Sequence, residues 1–121
     1  MVKYESMRAE LLGTLRCLGN ARCQIDCWVH GKFPAGVEYE DFGLHVHFLF
    51  DDTLLSEDPE RTIGFILETA AEAAAIKKLC DSLELIFGRY GTELADADDI
   101  SKPEWVDVIR SAREASDVFG L

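Results

Sequence analysis

The chain has 121 residues, of which 48% are hydrophobic and 29% are charged, the balance of a folded globular protein rather than a disordered one. Its net charge of −11 repels phosphate backbones and anionic lipids, which argues against nucleic-acid and membrane partners. No apolar run approaches the roughly 20 residues of a membrane-spanning helix, and the first residues lack the features of a secretion signal. We therefore expect a cytoplasmic protein with a single domain over residues 1–121.

Two helices are predicted over residues 1–31. Residues 4–18 carry apolar side chains at three- and four-residue spacing, which is the pattern of one buried helix face. Gly19 is expected to end that helix in the left-handed conformation, and Asn20 is expected to cap the next one. The second helix would end at Gly31. We interpret this part of the chain as a helical hairpin.

The spacing of the apolar residues then changes to a period of two. Residues 37–42 alternate imperfectly with acidic residues, and residues 44–50 alternate clearly between two faces. Residues 62–67 are rich in β-branched and aromatic side chains and contain a glycine that a helix disfavours. These segments predict two or three short strands in a small antiparallel sheet.

Two further helices are predicted after the strands. The first covers about 70–88 and begins at a capping box of Thr69 and Glu72, in which each side chain would bind the other residue's backbone N–H. The second begins at the capping box of Ser101 and Glu104. The predicted fold is therefore a single α+β domain. An N-terminal helical hairpin precedes the antiparallel sheet, and two C-terminal helices pack on one sheet face.

The most distinctive chemical cluster is a group of three cysteines and one histidine, Cys17, Cys23, Cys27 and His30. On a helix the last three would share one stripe, and thiolate and imidazole groups are zinc ligands. However, the spacing C-x5-C-x3-C-x2-H departs from that of structural zinc sites, and the C-x-x-C motif of thiol redox sites is absent. We therefore interpret the cysteines as small hydrophobic residues of the core, with metal binding and redox chemistry as alternatives.

His45 and His47 form a second candidate metal site. Alternate residues of a strand point to the same face, so the two imidazoles would converge on one ion. A third ligand would have to come from Asp51 or Asp52. The simpler interpretation is that both rings face solvent or pair with acids. We therefore predict no metal and no cofactor, and the ligand candidates of the weaker alternative are Cys23, Cys27, His30, His45 and His47.

Acidic residues and tryptophans are the candidates for contact with a protein partner. The acidic run of Glu93, Asp96, Asp98 and Asp99 lacks the glycine and the spacing of a calcium-binding loop, so we interpret it as a solvated loop. Trp105 lies on a helical stripe that favours burial, whereas the pattern around Trp28 does not decide its environment. The candidate partner-binding residues are Trp28, Asp51, Asp52, Asp96, Asp98 and Asp99.

The sequence favours a non-enzymatic interaction module that binds a more basic protein. One specific form of this hypothesis is an immunity-type inhibitor that masks a basic nuclease toxin, because acidic charge speeds association with a basic partner. No nucleophile elbow, phosphate-binding loop or dinucleotide fingerprint is present. The alternative is a small metal- or thiol-dependent enzyme that uses His45 and His47 or residues 17–30. A homodimer is a third hypothesis.

Overall fold

The computed structural model describes residues 2–33, 35 and 41–121. Within these ranges the α-helices are α1 Glu5–Leu18, α2 Ala21–Cys23, α3 Phe42–Val46, α4 Ala70–Tyr90, α5 Asp96–Asp99 and α6 Trp105–Val118. A π-helical segment continues α2 over Gln24–Val29, another continues α3 over His47–Asp52, and a 3-10 helix covers Pro59–Thr62. Among the described helices, none combines the length and the apolar composition that spanning a membrane requires.

The predicted α+β fold is wrong, because the described residues form helices and no sheet. The clearest predicted strand, residues 44–50, lies in α3 and its π-helical continuation. The side chain of Asp41 caps this helix by accepting the backbone N–H of Leu44 at 2.8 Å. His45, Phe48 and other buried side chains then recur at helical spacing. Residues 37–40 of the preceding predicted strand lie outside the described residues.

The third predicted strand, residues 62–67, is a compact turn. The carbonyl oxygen of Thr62 accepts the backbone N–H groups of Phe65, Ile66 and Leu67 at 2.8–3.1 Å. Gly64 has a φ of +92°, which is strained for residues with a Cβ atom. A single isolated bridge joins Ile63 to Leu67. The Gly64 and Phe65 carbonyls instead accept the N–H groups of Lys3 and Tyr4, so within the described residues this segment satisfies its backbone groups without a strand ladder.

The hydrophobic core lies between α1, α4 and α6. The two C-terminal helices pack against each other, and α6 also packs on α1, in place of the predicted packing on a sheet. The apolar stripes of α1, α4 and α6 are mostly buried, as expected for amphipathic helices. The fully or almost fully buried members are Leu11, Leu15, Leu18, Ile76, Leu79, Leu83, Ile86, Val108, Ala112 and Ala115.

The helix ends test the predicted caps. The cap at Asn20 is confirmed, since its Oδ1 accepts the N–H of Cys23 at 3.0 Å. Thr69 likewise accepts the N–H of Glu72 at 3.1 Å, and α4 ends at Tyr90 with Gly91 as its C-cap. The capping box of Ser101 is wrong, because that hydroxyl donates to the Asp98 carbonyl and α6 begins at Trp105. Gly19 has a φ of −91° and so does not adopt the predicted left-handed conformation.

Candidate functional site

Helix α2 and its π-helical continuation together form the α2 segment, residues 21–29. A cleft of about 690 Å³ opens between α1, the α2 segment and α3, and we refer to it as the thiol cleft. It brings together residues that are far apart in the sequence, and both π-helical segments contribute to its walls. Segments of π-helix are rare and often occur at functional sites. Of the residues predicted from the sequence, the thiol cleft is lined by Cys17, Cys23, Cys27, His45, His47 and Asp52.

The thiols of the cleft meet at the corner between α1 and α2. The Sγ atoms of Cys17 and Cys23 are in contact at 2.7 Å. Cys27 is buried and lies in the same wall. His30 is exposed, so the predicted stripe of thiols and imidazole does not form. The cause is the π-helical turn, in which the N–H of His30 donates to the Ile25 carbonyl five residues earlier rather than four.

The two histidines occupy different environments because they lie on a helix rather than a strand. The His45 ring is buried and shares a 2.8 Å hydrogen bond with the hydroxyl of Thr14. The His47 ring is exposed, with its Nδ1 2.6 Å from a carboxylate oxygen of Asp51. Residues two apart on a helix point to different faces, so the rings do not converge on one ion. Across the described ranges, no three His, Cys, Asp or Glu side chains form a group that could hold a metal.

The acidic residues at 96–99 form the short helix α5, which packs on the π-helical part of the α2 segment. Asp96 accepts the backbone N–H of Phe42 at 3.2 Å, and burial raises its pKa above the usual value. Asp99 is buried, and within the described part of the chain its Oδ1 has no hydrogen-bond partner. Burial, together with the charges of Asp96 and Asp98, raises the pKa of Asp99 to about 6. The predicted solvated loop is therefore a short helix instead, in which Asp98 is exposed and Asp99 is buried.

We expect Asp99→Asn to stabilise the protein at pH 7.5 by about 1–3 kcal/mol. A carboxyl group with a raised pKa in the folded state favours folding while it is protonated. That contribution is present below pH 3.8 and is lost as the pH rises through about 6. The gain from the substitution should therefore disappear near pH 4. Urea unfolding at both pH values checks this, with the exposed Asp98→Asn as the control. An equal gain in both variants would assign the effect to net charge alone.

Two features of the site could not be identified from the sequence. The first is Gln24, whose buried amide bonds both the end of α1 and the indole of Trp105. The second is the environment of Trp28, which is half-buried and stacks on Phe42 with 5.3 Å between ring centroids. Trp105 is buried as predicted and meets Phe42 edge to face at 5.1 Å. These rings, from the α2 segment, α3 and α6, pack against one another where the three elements meet.

A second concave surface, the aromatic groove, has a volume of about 460 Å³. The rings of Tyr4 and Phe65 stack with 5.8 Å between centroids. The N–H of Tyr4 donates to the Phe65 carbonyl at 2.8 Å, which joins the N-terminus to the turn at residues 62–67. Leu54 lines the groove beside them, and the predicted partner-binding residues Asp51 and Asp52 lie in its wall. No sequence motif marks this groove, because Tyr4 and Leu54 resemble core residues in their local patterns.

The curated proteins contain no significant match to the chain, and neither do the solved structures. Residues 2–120 match one family, which is described as Domain of unknown function (DUF7945). The match covers both concave surfaces and every helix of the structure. The chain therefore belongs to the DUF7945 family of domains of unknown function.

Proposed function

We propose that the protein is a non-enzymatic interaction module that binds a basic protein through the aromatic groove. The observation that carries the proposal is the exposure of three large apolar side chains in one groove. Tyr4 is 44% exposed, and Phe65 and Leu54 are each 42% exposed. Apolar groups grouped on a surface mark binding sites, and aromatic anchors supply much of the affinity of protein interfaces.

The electrostatics of the chain favour a basic partner. The net charge is −11, and Asp51 and Asp52 are exposed at the wall of the groove. Such charge speeds the association of a positively charged protein and selects against acidic ones. The ammonium group of Lys3 lies 5.8 Å from the Tyr4 ring centroid and 5.9 Å from that of Phe65. These rings therefore have faces that attract a cation, and a lysine or arginine of the partner would compete with Lys3 for them.

The proposal places the protein in the cytoplasm, where thiols such as those of the thiol cleft remain reduced. An immunity-type inhibitor that masks a basic nuclease toxin is the specific form that the net charge supports. The proposal does not include a nucleic-acid partner, because the same negative charge opposes binding to phosphate backbones. A second copy of the chain is the competing occupant of the groove, although two acidic copies would repel each other.

In the test, the immobilised chain captures proteins from a lysate of cells that produce it. Each captured protein is then purified and titrated separately with the chain. We expect a basic partner whose dissociation constant rises at least about tenfold in Phe65→Ser, the effect of losing an interface anchor. The matched control is Leu85→Ser, which removes a 50% exposed leucine of α4 outside the groove and should change affinity less than about twofold. Binding should weaken as salt increases.

Three outcomes would contradict this proposal. The first is that no retained protein is basic. The second is that Phe65→Ser and Leu85→Ser lose affinity equally, which would place the interface elsewhere. The third is a homodimer in light scattering that Phe65→Ser dissociates, because a second copy would then occupy the groove.

A further inference from the structure

The corner between α1 and α2 holds two thiols at almost bonding distance. Cys17 lies in the last turn of α1 and Cys23 at the end of α2, with 2.7 Å between their Sγ atoms. The sulfur atoms of a disulfide are about 2.05 Å apart. The backbone holds the corner, since Asn20 donates its N–H to the Cys17 carbonyl and caps the N–H of Cys23. The approach of the thiols therefore follows from the fold and not from side-chain rotation alone.

The two thiols differ in their access to solvent. Both line the thiol cleft, where Cys23 is half-buried and Cys17 is only 5% exposed. A small oxidant that enters the cleft therefore reaches the sulfur of Cys23 more readily. Cys17 lies behind it, in the position of a thiol that resolves the first oxidation product.

We propose that Cys17 and Cys23 form a reversible disulfide when the protein reacts with a hydroperoxide. In the first step, the sulfur of Cys23 attacks one peroxide oxygen, the O–O bond breaks, and a sulfenic acid and water (or an alcohol) form. In the second step, the sulfur of Cys17 attacks the Cys23 sulfur and the S–O bond breaks. The hydroxyl leaves as water with the Cys17 proton, and an S–S bond forms. Each disulfide thus consumes one peroxide, and a dithiol reductant restores both thiols.

The spacing explains why this pair is not evident from the sequence. Redox pairs are commonly recognised as C-x-x-C, where both cysteines share one turn. Here the two cysteines are six residues apart and a change of helix direction brings them together. Short-lived disulfides of this kind are the ones that form in reducing compartments, where they act in redox sensing or catalysis.

Cys80 provides an internal control. It lies in α4, is 1% exposed and does not line the thiol cleft. Burial, followed by the charges of Glu84 and Asp81, raises its pKa to about 12, which suppresses the reactive thiolate. Cys27 is the more demanding control, because it lies in the wall of the cleft and is buried.

The test treats the reduced native protein with one equivalent of hydrogen peroxide, and the remaining thiols are counted after unfolding in denaturant. The wild type has four cysteines, and we expect two thiols to remain after oxidation and four after dithiothreitol. Peptide mapping should identify the Cys17–Cys23 bond. Cys23→Ser should block disulfide formation, whereas Cys80→Ser and Cys27→Ser should still lose two thiols.

Several results would overturn the inference: a bond that maps to Cys27, a bond between two chains, or oxidation that stops at sulfenic acid. Because Cys17 is buried, both Cys17→Ser and Cys17→Ala are prepared, and circular dichroism shows whether each variant is folded. Cys23 is half-buried and Cys23→Ser should remain helical. If folded Cys23→Ser forms the same amount of intramolecular disulfide as the wild type, the assignment is wrong.

Discussion

Replacement of Arg8 by methionine is expected to lower the free energy of unfolding by about 3 kcal/mol at pH 7. The Arg8 guanidinium binds both carboxylate oxygens of Glu72, at 2.8 and 2.9 Å, and donates to the Ile66 carbonyl at 3.0 Å. The Glu72 side chain is only 6% exposed, and that of Arg8 is 17% exposed. Methionine preserves much of the apolar stem but leaves a buried carboxylate without its cation. Removing one partner of a buried ion pair is costly for this reason.

The pH dependence of this loss has a defined sign. Burial opposes ionisation of Glu72, but the hydrogen bonds from Arg8 and from the Glu68 N–H outweigh it and hold its pKa below 4.5. A carboxyl group with a lowered pKa stabilises the folded state above its unfolded pKa. This contribution is lost as the pH falls through the folded pKa. In Arg8→Met burial dominates and raises the pKa of Glu72. The difference between the variant and the wild type should therefore shrink below about pH 4.

The control for this variant is Arg110→Met. Arg110 pairs with Asp107 three residues away at 3.1 Å, and the two side chains are 63% and 51% exposed. Exposed pairs of this kind contribute about 0.5 kcal/mol or less. Urea unfolding followed by circular dichroism at pH 7 and pH 3.5 measures both variants. A loss below about 1 kcal/mol for Arg8→Met at pH 7 would show that the Arg8–Glu72 pair has little net effect.

Two helix starts of this fold were predictable from the sequence. Asn20 and Thr69 cap helices as their sequence patterns indicate, because a side-chain oxygen before a helix satisfies an N–H that has no partner in the first turn. The capping box at Thr69 is nevertheless incomplete. The carboxylate of Glu72 binds Arg8 and the Glu68 N–H instead, and Arg8 is 64 residues away in the chain. A local motif cannot reveal such a distant partner.

The sheet could not be distinguished from a helix by periodicity alone. Five of the seven residues 44–50 are apolar, and so short an alternating run does not exclude a helix. The helix forms because Asp41 supplies a cap and because His45 and Phe48 both fall on the buried side. The wrong strand assignment also led to a wrong geometry for the candidate metal site. The same-face geometry of His45 and His47 depended entirely on the strand.

The cysteines and histidines of the thiol cleft were identified from the sequence, but their grouping and their partner Thr14 were not. Sequence spacing placed Cys23, Cys27 and His30 on one stripe, whereas the structure pairs Cys17 with Cys23 and exposes His30. The π-helical turn causes this difference, and no residue type in it signals an i to i+5 hydrogen bond. The aromatic groove is harder still to predict, since it depends on contacts between the N-terminus and a turn about 60 residues later.

Replacement of Gln24 by leucine is expected to lower the free energy of unfolding by about 3–5 kcal/mol. The Gln24 side chain is 1% exposed, and each of its hydrogen-bonding groups has a partner. Its Nε2 donates to the carbonyls of Cys17 and Leu18 at 3.0 Å, and its Oε1 accepts the Trp105 indole N–H at 2.9 Å. One amide therefore joins the end of α1 to the start of α6. Leucine has a similar volume but leaves the Leu18 carbonyl and the indole N–H without this partner, at about 1–3 kcal/mol each, whereas the Cys17 carbonyl keeps the Asn20 N–H.

A double-mutant cycle separates this network from simple packing. Trp105→Phe removes the indole N–H, so the Gln24 oxygen loses its donor in that variant. In the double variant neither the N–H nor the amide remains, and the loss should be smaller than the sum of the single losses by about 1 kcal/mol or more. Unfolding is followed by circular dichroism, because Trp105→Phe changes the tryptophan fluorescence. Strict additivity would mean that the Gln24–Trp105 bond contributes nothing beyond packing.

Gln24 also affects the geometry of the thiol cleft, because it follows Cys23 in the chain and its side chain donates to the carbonyl of Cys17. Loss of this amide releases one constraint on the corner that holds the two thiols together. We therefore expect folded Gln24→Leu to form the Cys17–Cys23 disulfide more slowly than the wild type at equal peroxide concentration. An unchanged rate would indicate that the Asn20 cap alone positions the two thiols.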